Sequence, residues 1–217
     1  MTKMLSLRLN RIIAALPRCE TLADVGCDHG LVGIAALQKG VAQQVIFTDI
    51  SLPSLQKAKQ NCPQQLQSRA SFVCGNGLGN VQCDCAVIAG MGGLEIVHIL
   101  DGCALPDKLV LQPMRNSVQV RQRLIRDYEI TLDEKFFDGK YYDLITAQAK
   151  RGGSVLTPDE LTFGRTNLLR PSADFVTFLR KELSLCDKIL QNCNDQAVLQ
   201  RRRETARVLN MIQEEKL

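Results

Sequence analysis

The sequence has few histidines, no cysteine spacing typical of a zinc site and no apolar run long enough to cross a membrane. It has two histidines, and its nine cysteines include no C-x-x-C pair. The one close pair, Cys83 and Cys85, has no second pair or histidine cluster that would complete a zinc site. No stretch approaches the ~18 consecutive apolar residues of a membrane helix. We therefore predict no metal, no membrane contact and reduced, mostly buried thiols, as is typical of a cytoplasmic protein.

A secretory signal and a polybasic tail are also missing. Arg8 and Arg11 interrupt the N-terminal segment before an apolar core forms, so residues 1–16 predict an amphipathic helix. A chain of 217 residues is long enough for one substantial domain with a small appendage. The net charge of +4 permits an anionic partner such as RNA but does not require one.

Apolar runs typical of strands alternate with segments of helical periodicity over the first part of the chain. The strand-like runs lie at 22–26, 44–50, 71–78, 83–93 and 108–113, and the helical segments lie at 31–38, 51–62, 94–100 and 117–128. Strands that are nearly all apolar and alternate with helices indicate a parallel sheet covered on both faces.

The alternation ends at 130–150, where two β-rich runs flank Asp138 and Gly139. Asp-Gly between two such runs predicts a β-hairpin. A parallel α/β sheet that finishes in an antiparallel hairpin is the arrangement of class I methyltransferases, whereas dinucleotide-binding Rossmann folds usually continue with parallel strands. We therefore predict an α/β fold with a Rossmann-like sheet of the class I methyltransferase type.

Residues 151–160 contain glycines and a proline, and they separate the predicted sheet from two helical segments. The segment 171–190 carries Phe175, Leu179 and Cys186 near one face, and 195–217 repeats the pattern more weakly. Two helices of about twenty residues joined by a short polar turn predict an antiparallel helical hairpin. We predict a methyltransferase domain over 1–155 and a C-terminal helical domain over 156–217.

The first strand–turn–helix has an acid where a dinucleotide-binding turn would have glycine. Asp24, Gly26, Asp28 and Gly30 form D-x-G-x-D-x-G. A pyrophosphate needs bare backbone at such a turn. S-adenosylmethionine (SAM) has no phosphate, and a carboxylate at this place can hold its ammonium group. We therefore favour a SAM site over an NAD site and over a purely structural turn.

Polar residues also end the next two strand-like runs. Asp49, followed by Ile50, is placed to accept hydrogen bonds from ribose hydroxyls. Gly75, Asn76 and Gly77 follow the third run, where the Asn76 amide oxygen can accept from the adenine amine. Taken singly, the acid is equally a helix-capping neighbour and the glycines a tight turn. The order of these residues on successive strand ends favours the cofactor site.

The segment AGMGG at 89–93 follows the fourth strand-like run. Many amino-methylating enzymes carry N/D-P-P-F/Y there, and this sequence does not. The glycines would let the backbone at Ala89, Gly90 and Met91 approach the methyl donor or a flat base closely. The alternative, a strand–helix turn with Met91 in the core, is about equally supported.

Four segments together, DVGCDHG, AGMGG, LQP (111–113) and DGKYYD (138–143), resemble the TrmK family of bacterial tRNA (adenine-N1)-methyltransferases, which modify adenine 22. The resemblance covers nearly the whole chain, although the C-terminal helices match only in character. Asn76 departs from the family where an acid is common, and Met114 where a polar residue is common. The resemblance implies SAM as cofactor, tRNA as substrate and SAM contacts at Asp24, Gly26, Asp28, Asp49, Asn76, Gly90 and Met91.

Four residues are candidates for contact with the reacting base. They are His29, Asp28, Gln112 and Tyr142. N1 of an unpaired adenine already has an in-plane lone pair, so the main task is to place it in line with the methyl carbon. His29 is equally well read as a turn residue that caps the helix, Asp28 as a ligand of SAM alone, and Tyr142 as core packing in the hairpin.

Basic side chains are candidates for tRNA contacts, although each is also compatible with a solvated helix face. The RNA-binding candidates are Arg8, Arg11, Arg115, Arg121 and Arg123, with the run 201–203. The helical hairpin is a candidate for RNA binding or for dimerisation, and the sequence favours no particular oligomeric state. Alternatives to the tRNA enzyme are a methyltransferase acting on another RNA or a metabolite, and a non-catalytic SAM-binding module.

Overall fold

The computed structural model describes residues 5–79 and 81–214. The predicted terminal helices included residues 1–4 and 215–217, which lie outside the described part of the chain. Within that part, seven strands form one sheet in the order β3-β2-β1-β4-β5-β7-β6. The strands are β1 (Cys19–Val25), β2 (Ala42–Asp49), β3 (Ala70–Cys74), β4 (Cys85–Met91), β5 (Lys108–Pro113), β6 (Tyr128–Asp138) and β7 (Lys140–Ala149).

Helices cover the sheet and continue beyond it. A six-residue 3-10 helix at Gln64–Arg69 precedes β3. The α-helices are α1 (Leu7–Ala15), α2 (Leu31–Gln38), α3 (Leu52–Asn61), α4 (Gly93–Asp101), α5 (Ser117–Leu124), α6 (Pro158–Phe163), α7 (Arg165–Leu169), α8 (Ala173–Leu190) and α9 (Gln196–Glu214).

The predicted parallel sheet is present, and its central strands are buried on both faces. β1 pairs in parallel with β2 and β4, and β4 pairs in parallel with β5. One core cluster forms around Phe47 and the other around Ile88, on opposite faces of the sheet. Strand β3 pairs in parallel with β2, so the five parallel strands end at one common edge. The Ser51 side chain caps α3 by accepting from the Ser54 amide.

The predicted hairpin is confirmed as β6 and β7, joined at Gly139 with φ +75°. Strand β7 runs antiparallel to β5, with Leu111 opposite Ile145. The hairpin turn therefore lies at the edge where the parallel strands end. Helix α5 is shorter than predicted, because it ends at Leu124 and Tyr128 already begins β6.

The predicted C-terminal helical hairpin is formed by α8 and α9. A third apolar cluster between them includes Phe175, Leu179, Val208 and Ile212. Two short helices, α6 and α7, precede this hairpin and were not predicted. The local signal for α6 is a capping box, in which Thr157 and Glu160 each accept from the other's backbone amide.

The described helices include none that is both long and apolar enough to span a bilayer. Among the described residues, no group of three or more potential metal ligands comes together. All nine cysteines are free thiols, and burial raises the pKa of Cys83 to about 11.

Candidate active site

The predicted acidic residues meet at the edge where the parallel strands end. Asp24 lies one residue before the end of β1, and Asp49 is the last residue of β2. The Asp49 carboxylate accepts hydrogen bonds from the backbone amides of Asp28 (3.1 Å) and Ser51 (2.8 Å). Asp49 therefore connects the loop after β1 to the start of α3, and each of its oxygens keeps a lone pair for a further donor.

The loop after β1 uses its own amide donors within the protein. The amides of Gly26 and Cys27 both donate to the Thr48 carbonyl, at 2.8 and 3.1 Å. The Gly30 amide donates to the Cys27 carbonyl, and the Asp24 carboxylate accepts from Gly33 in the first turn of α2. These donors, with that of Asp28, are satisfied within the protein. The acids Asp24 and Asp28 make the loop unfavourable for a phosphate, which is also negatively charged.

Asp24 is 5% exposed and has an unusual protonation equilibrium. Burial raises its pKa to about 7, although the hydrogen bond from the Gly33 amide opposes the shift, and the charge of Asp49 adds to it. A buried carboxylate gains most from a cation placed beside it. The site is therefore electrostatically suited to an ammonium group.

Asp28 and His29 lie at the exposed rim of this loop. Asp28 adopts a left-handed backbone conformation with φ 45°, and its carboxylate oxygen lies 3.6 Å from His29 Nε2. Gly30 faces the other way: a Cβ built on it would lie 3.0 Å from that of Ala58. Gly30 therefore serves close packing of the loop on α3, and it does not line the cavity beside Asp28.

A cavity of about 280 Å³ opens between the loops after β1 and β4. This cavity is lined by most of the residues predicted to bind the methionine part of SAM. Arg8 from α1 lines it as well. Gly26 lies against the Met91 side chain, whose methyl carbon is 1.9 Å from a Cβ built on Gly26. The predicted site residues that line it are Asp24, Gly26, Asp28, His29, Ala89, Gly90 and Met91.

The turn after β3 borders a larger groove of about 710 Å³ on the face of β2 and β3. Gly75, Asn76 and Gly77 line this groove, and Thr48 Oγ1 donates to the Gly77 carbonyl at 3.0 Å. Ile50 is 74% exposed next to Asp49. The structure therefore sets an acid, an apolar side chain and an amide in order along the sheet edge.

Gln112 and Tyr142 come together with Arg8, a contact that the sequence analysis missed. Gln112 is fully buried at the end of β5, and its Oε1 accepts from Arg8 Nη1 at 2.8 Å. The Arg8 guanidinium carbon lies 5.6 Å from the centroid of the Tyr142 ring, which stacks on Phe136. Arg8, predicted as an RNA-binding residue, is therefore part of the candidate active site.

The loops after β4 and β5 are fixed to each other. The Met114 amide donates to the Met91 carbonyl, and the Gly93 amide donates to the Arg115 carbonyl. A Cβ on Gly93 would lie 2.4 Å from the Asn116 carbonyl oxygen, so only glycine fits there. The exposed Arg115 side chain passes over Gly92.

Two of the predicted RNA-binding residues, Arg121 and Arg123, have side chains that are buried in ion pairs. Arg121 is 1% exposed, and its guanidinium group binds both oxygens of Asp133 at 2.7 and 2.8 Å. Arg123 is 8% exposed and is paired with Asp101 and Asp127. Arg11 remains exposed, although it pairs with Glu134 at 3.2 Å.

The sheet order, with β7 antiparallel to the other strands around it, and the acidic edge define a class I methyltransferase. A family model described as a methyltransferase domain matches residues 5–145, and the chain belongs to this family.

The chain is also similar to proteins of one branch of methyltransferases. It is 32% identical over 155 residues to the tRNA (adenine(22)-N(1))-methyltransferase of Bacillus subtilis, an alignment that covers 67% of this chain and 65% of that relative. The crystal structure of B. subtilis TrmK matches with a TM-score of 0.76 and 27% identity, covering 97% of this chain and 98% of that one. Streptococcus pneumoniae Sp1610 in complex with SAM matches with a TM-score of 0.86 and 25% identity, covering 95% and 100%. The resemblance to the TrmK family is thereby confirmed.

Proposed function

We propose that this chain transfers a methyl group from SAM to N1 of adenine 22 of tRNA, in the cytoplasm. The observation that carries the proposal is the chemistry of the loop after β1, whose acids Asp24 and Asp28 line a cavity. The names of the matched B. subtilis proteins support the choice of base and of RNA.

The residues present fit SAM along its whole length. The free lone pairs of Asp49 suit the ribose hydroxyls, and the exposed Ile50 beside it offers an apolar face to the adenine ring. Asn76 lies at the next strand end, where its amide oxygen suits the adenine amine. Asp28 suits the ammonium group, and the buried Asp24 adds negative charge behind it.

When bound, SAM supplies a methyl group on a positively charged sulfur. The protein's part is to bring the lone pair of adenine N1 into line with that carbon, which contributes ~7–11 kcal/mol to lowering the barrier. Gln112 and Tyr142 provide a hydrogen-bond acceptor and an aromatic face behind Arg8, which lines the cavity. No proton has to leave N1 before attack, so no general base is required.

Asp28 and His29 act after the bond forms. Methylation leaves a positive charge on the adenine ring, and the exposed Asp28 carboxylate at the cavity rim stabilises it. His29, 3.6 Å from Asp28, bonds the base edge from the same rim.

The tRNA is held by cations at this same edge. Arg115 is exposed beside the loop after β4, and Lys140 follows the hairpin turn with its Nζ 5.3 Å from the Tyr142 ring centroid. Basic side chains can bind the phosphates of an RNA, and an aromatic ring beside them can stack on a base that is flipped out of the helix. Arg11 extends this surface along α1.

The test is methyl transfer to tRNA transcripts. The full chain is mixed with labelled SAM and either an unmodified tRNA carrying adenine 22 or the same tRNA with guanine at that position. Labelled 1-methyladenosine from the first transcript alone is the expected result. Label in another nucleoside, or tight SAM binding without transfer, would overturn the proposal.

A further inference from the structure

The Arg8 side chain occupies the point where the cavity beside the acidic loop meets Gln112 and Tyr142. Its Nη1 donates to Gln112 Oε1 at 2.8 Å and lies 3.4 Å from a Cβ built on Gly90. Its guanidinium carbon lies 5.6 Å from the Tyr142 ring centroid. This flat group therefore lies between the loop of the methyl donor and the residues suited to the base.

Within the described part of the chain, the charge of Arg8 has no acidic partner. Among residues 5–79 and 81–214, no carboxylate lies within 4.0 Å of its guanidinium group, although its backbone amide donates to Asp138. A neutral amide oxygen and an aromatic face hold the cation instead. The surroundings are thus complementary to a flat cation with an N–H donor at one edge.

N1-methyladenine is such a cation. When N1 donates its lone pair to the methyl carbon and the carbon–sulfur bond breaks with its electrons left on sulfur, the ring gains the positive charge. That charge is shared over N1, C6 and the 6-amino nitrogen. This amidinium is planar like a guanidinium group and carries the same single positive charge, spread over two nitrogens instead of three. Neutral adenine has the same shape without the charge.

We propose that Arg8 fills the target-base slot of the free enzyme and marks a site built for the methylated, cationic base. This deepens the proposed function and rests on it. On binding, the base displaces the guanidinium group, its 6-amino group donates to Gln112 Oε1 and its face stacks on Tyr142. Both contacts strengthen as the ring becomes positive, so they favour the transition state over the bound substrate.

Nucleoside binding tests the slot without a tRNA and without turnover. S-adenosylhomocysteine is first titrated to saturation, so that nucleosides cannot occupy the cofactor site. 1-Methyladenosine and adenosine are then titrated calorimetrically into the wild-type chain, Arg8→Ala and Arg18→Ala. Arg18 is an exposed cation at the opposite edge of the sheet, directly before β1.

We expect Arg8→Ala to bind 1-methyladenosine at least about tenfold more tightly than the wild type, because its slot is vacant. Adenosine should bind Arg8→Ala more weakly than 1-methyladenosine does. The affinities of Arg18→Ala should match those of the wild type. A few millimolar guanidinium chloride should compete with 1-methyladenosine in Arg8→Ala. Tyr142→Leu combined with Arg8→Ala should lose the preference for the cation, whereas Tyr142→Phe should keep it.

Two outcomes would overturn the proposal of a base slot. One is an equal affinity of Arg8→Ala and the wild type for 1-methyladenosine, and the other is a preference of Arg8→Ala for neutral adenosine. Added guanidinium should inhibit methyl transfer by Arg8→Ala. If it restored methyl transfer instead, the proposal would be wrong, because Arg8 would then assist the reaction from the position where it lies. Failure of S-adenosylhomocysteine to bind would overturn the proposed function and the slot with it.

Discussion

The carboxylate of Asp24 accepts a 2.8 Å hydrogen bond from the backbone amide of Gly33 while it lies almost wholly out of solvent. The bond fixes the start of α2 against the end of β1. It also leaves a buried acid whose pKa burial raises to about 7, next to a second acid, Asp49. A cationic group placed beside these two acids would therefore be bound favourably.

The first prediction concerns the pH dependence of SAM binding. Asp24 is protonated below pH 7, and an ammonium group pairs with its ionised form, so affinity should rise with pH through this range. The ratio of wild-type to Asp24→Asn affinity should increase up to about tenfold between pH 6 and 8, measured by calorimetry. The ratio removes titration of the ligand itself. A ratio that does not change with pH would contradict this role of Asp24.

The same pKa predicts how stability changes with pH. The folded chain holds a proton on Asp24 that the unfolded chain releases near pH 3.8, so this contribution is present at low pH and is lost as pH rises through about 7. Relative to Asp24→Asn, the free energy of unfolding of the wild type should fall by about 1 kcal/mol between pH 6 and 8. Urea denaturation at both pH values measures it, and a relative rise would contradict the assignment.

Asp28→Asn should weaken SAM binding at least about tenfold, because it removes one charged partner of the ammonium group. Asparagine tolerates the left-handed backbone at φ 45°, whereas alanine there would add strain of about 1–2 kcal/mol. The free energy of unfolding should therefore stay within about 0.5 kcal/mol of the wild type. Asp84→Asn, an exposed acid before β4 at the opposite edge, is the matched control. Unchanged SAM affinity in Asp28→Asn would refute its role.

The parts of the site that the sequence predicted are local in the chain. The acids and glycines after β1, β2 and β3 could be placed because an apolar run marks each strand and its end marks the ligand edge. Arg8 could not, since its partner Gln112 lies 104 positions away. One signal was present: Arg8 precedes the fully buried Ile12 by four residues, which places both on one face of α1.

The burial of Arg121 was not predicted for the same reason. A basic residue on an amphipathic helix is expected to face solvent, and the acid that binds Arg121 lies on β6. Its position three residues before the buried Leu124 is the local trace of an inward-facing side chain. The capping residues of α6, Thr157 and Glu160, were also readable, and that helix could have been predicted.

Breaking the Arg121–Asp133 pair should destabilise the whole fold. Asp133 is fully buried, and the Arg121 Nη1 also donates to the Leu161 carbonyl in α6. Asp133→Ala leaves a buried cation with only Asp143 at 3.5 Å, so the free energy of unfolding should fall by about 3–5 kcal/mol. Asp127→Ala, which removes an exposed partner of Arg123, should cost less than about 1 kcal/mol. Equal losses in the two variants would show that burial does not set the strength of these pairs.

The last prediction concerns the contribution of Arg115 to tRNA binding. If Arg115 neutralises an RNA phosphate beside the loop after β4, Arg115→Ala should weaken tRNA binding and reduce the slope of log affinity against log salt by about 1. Arg126 is an equally exposed cation just before β6, at the opposite edge of the sheet. Arg126→Ala should leave both quantities unchanged. Affinities measured by filter binding at several salt concentrations give the slopes, and a larger effect at Arg126 would move the RNA to the other edge, away from Asp28 and Gln112.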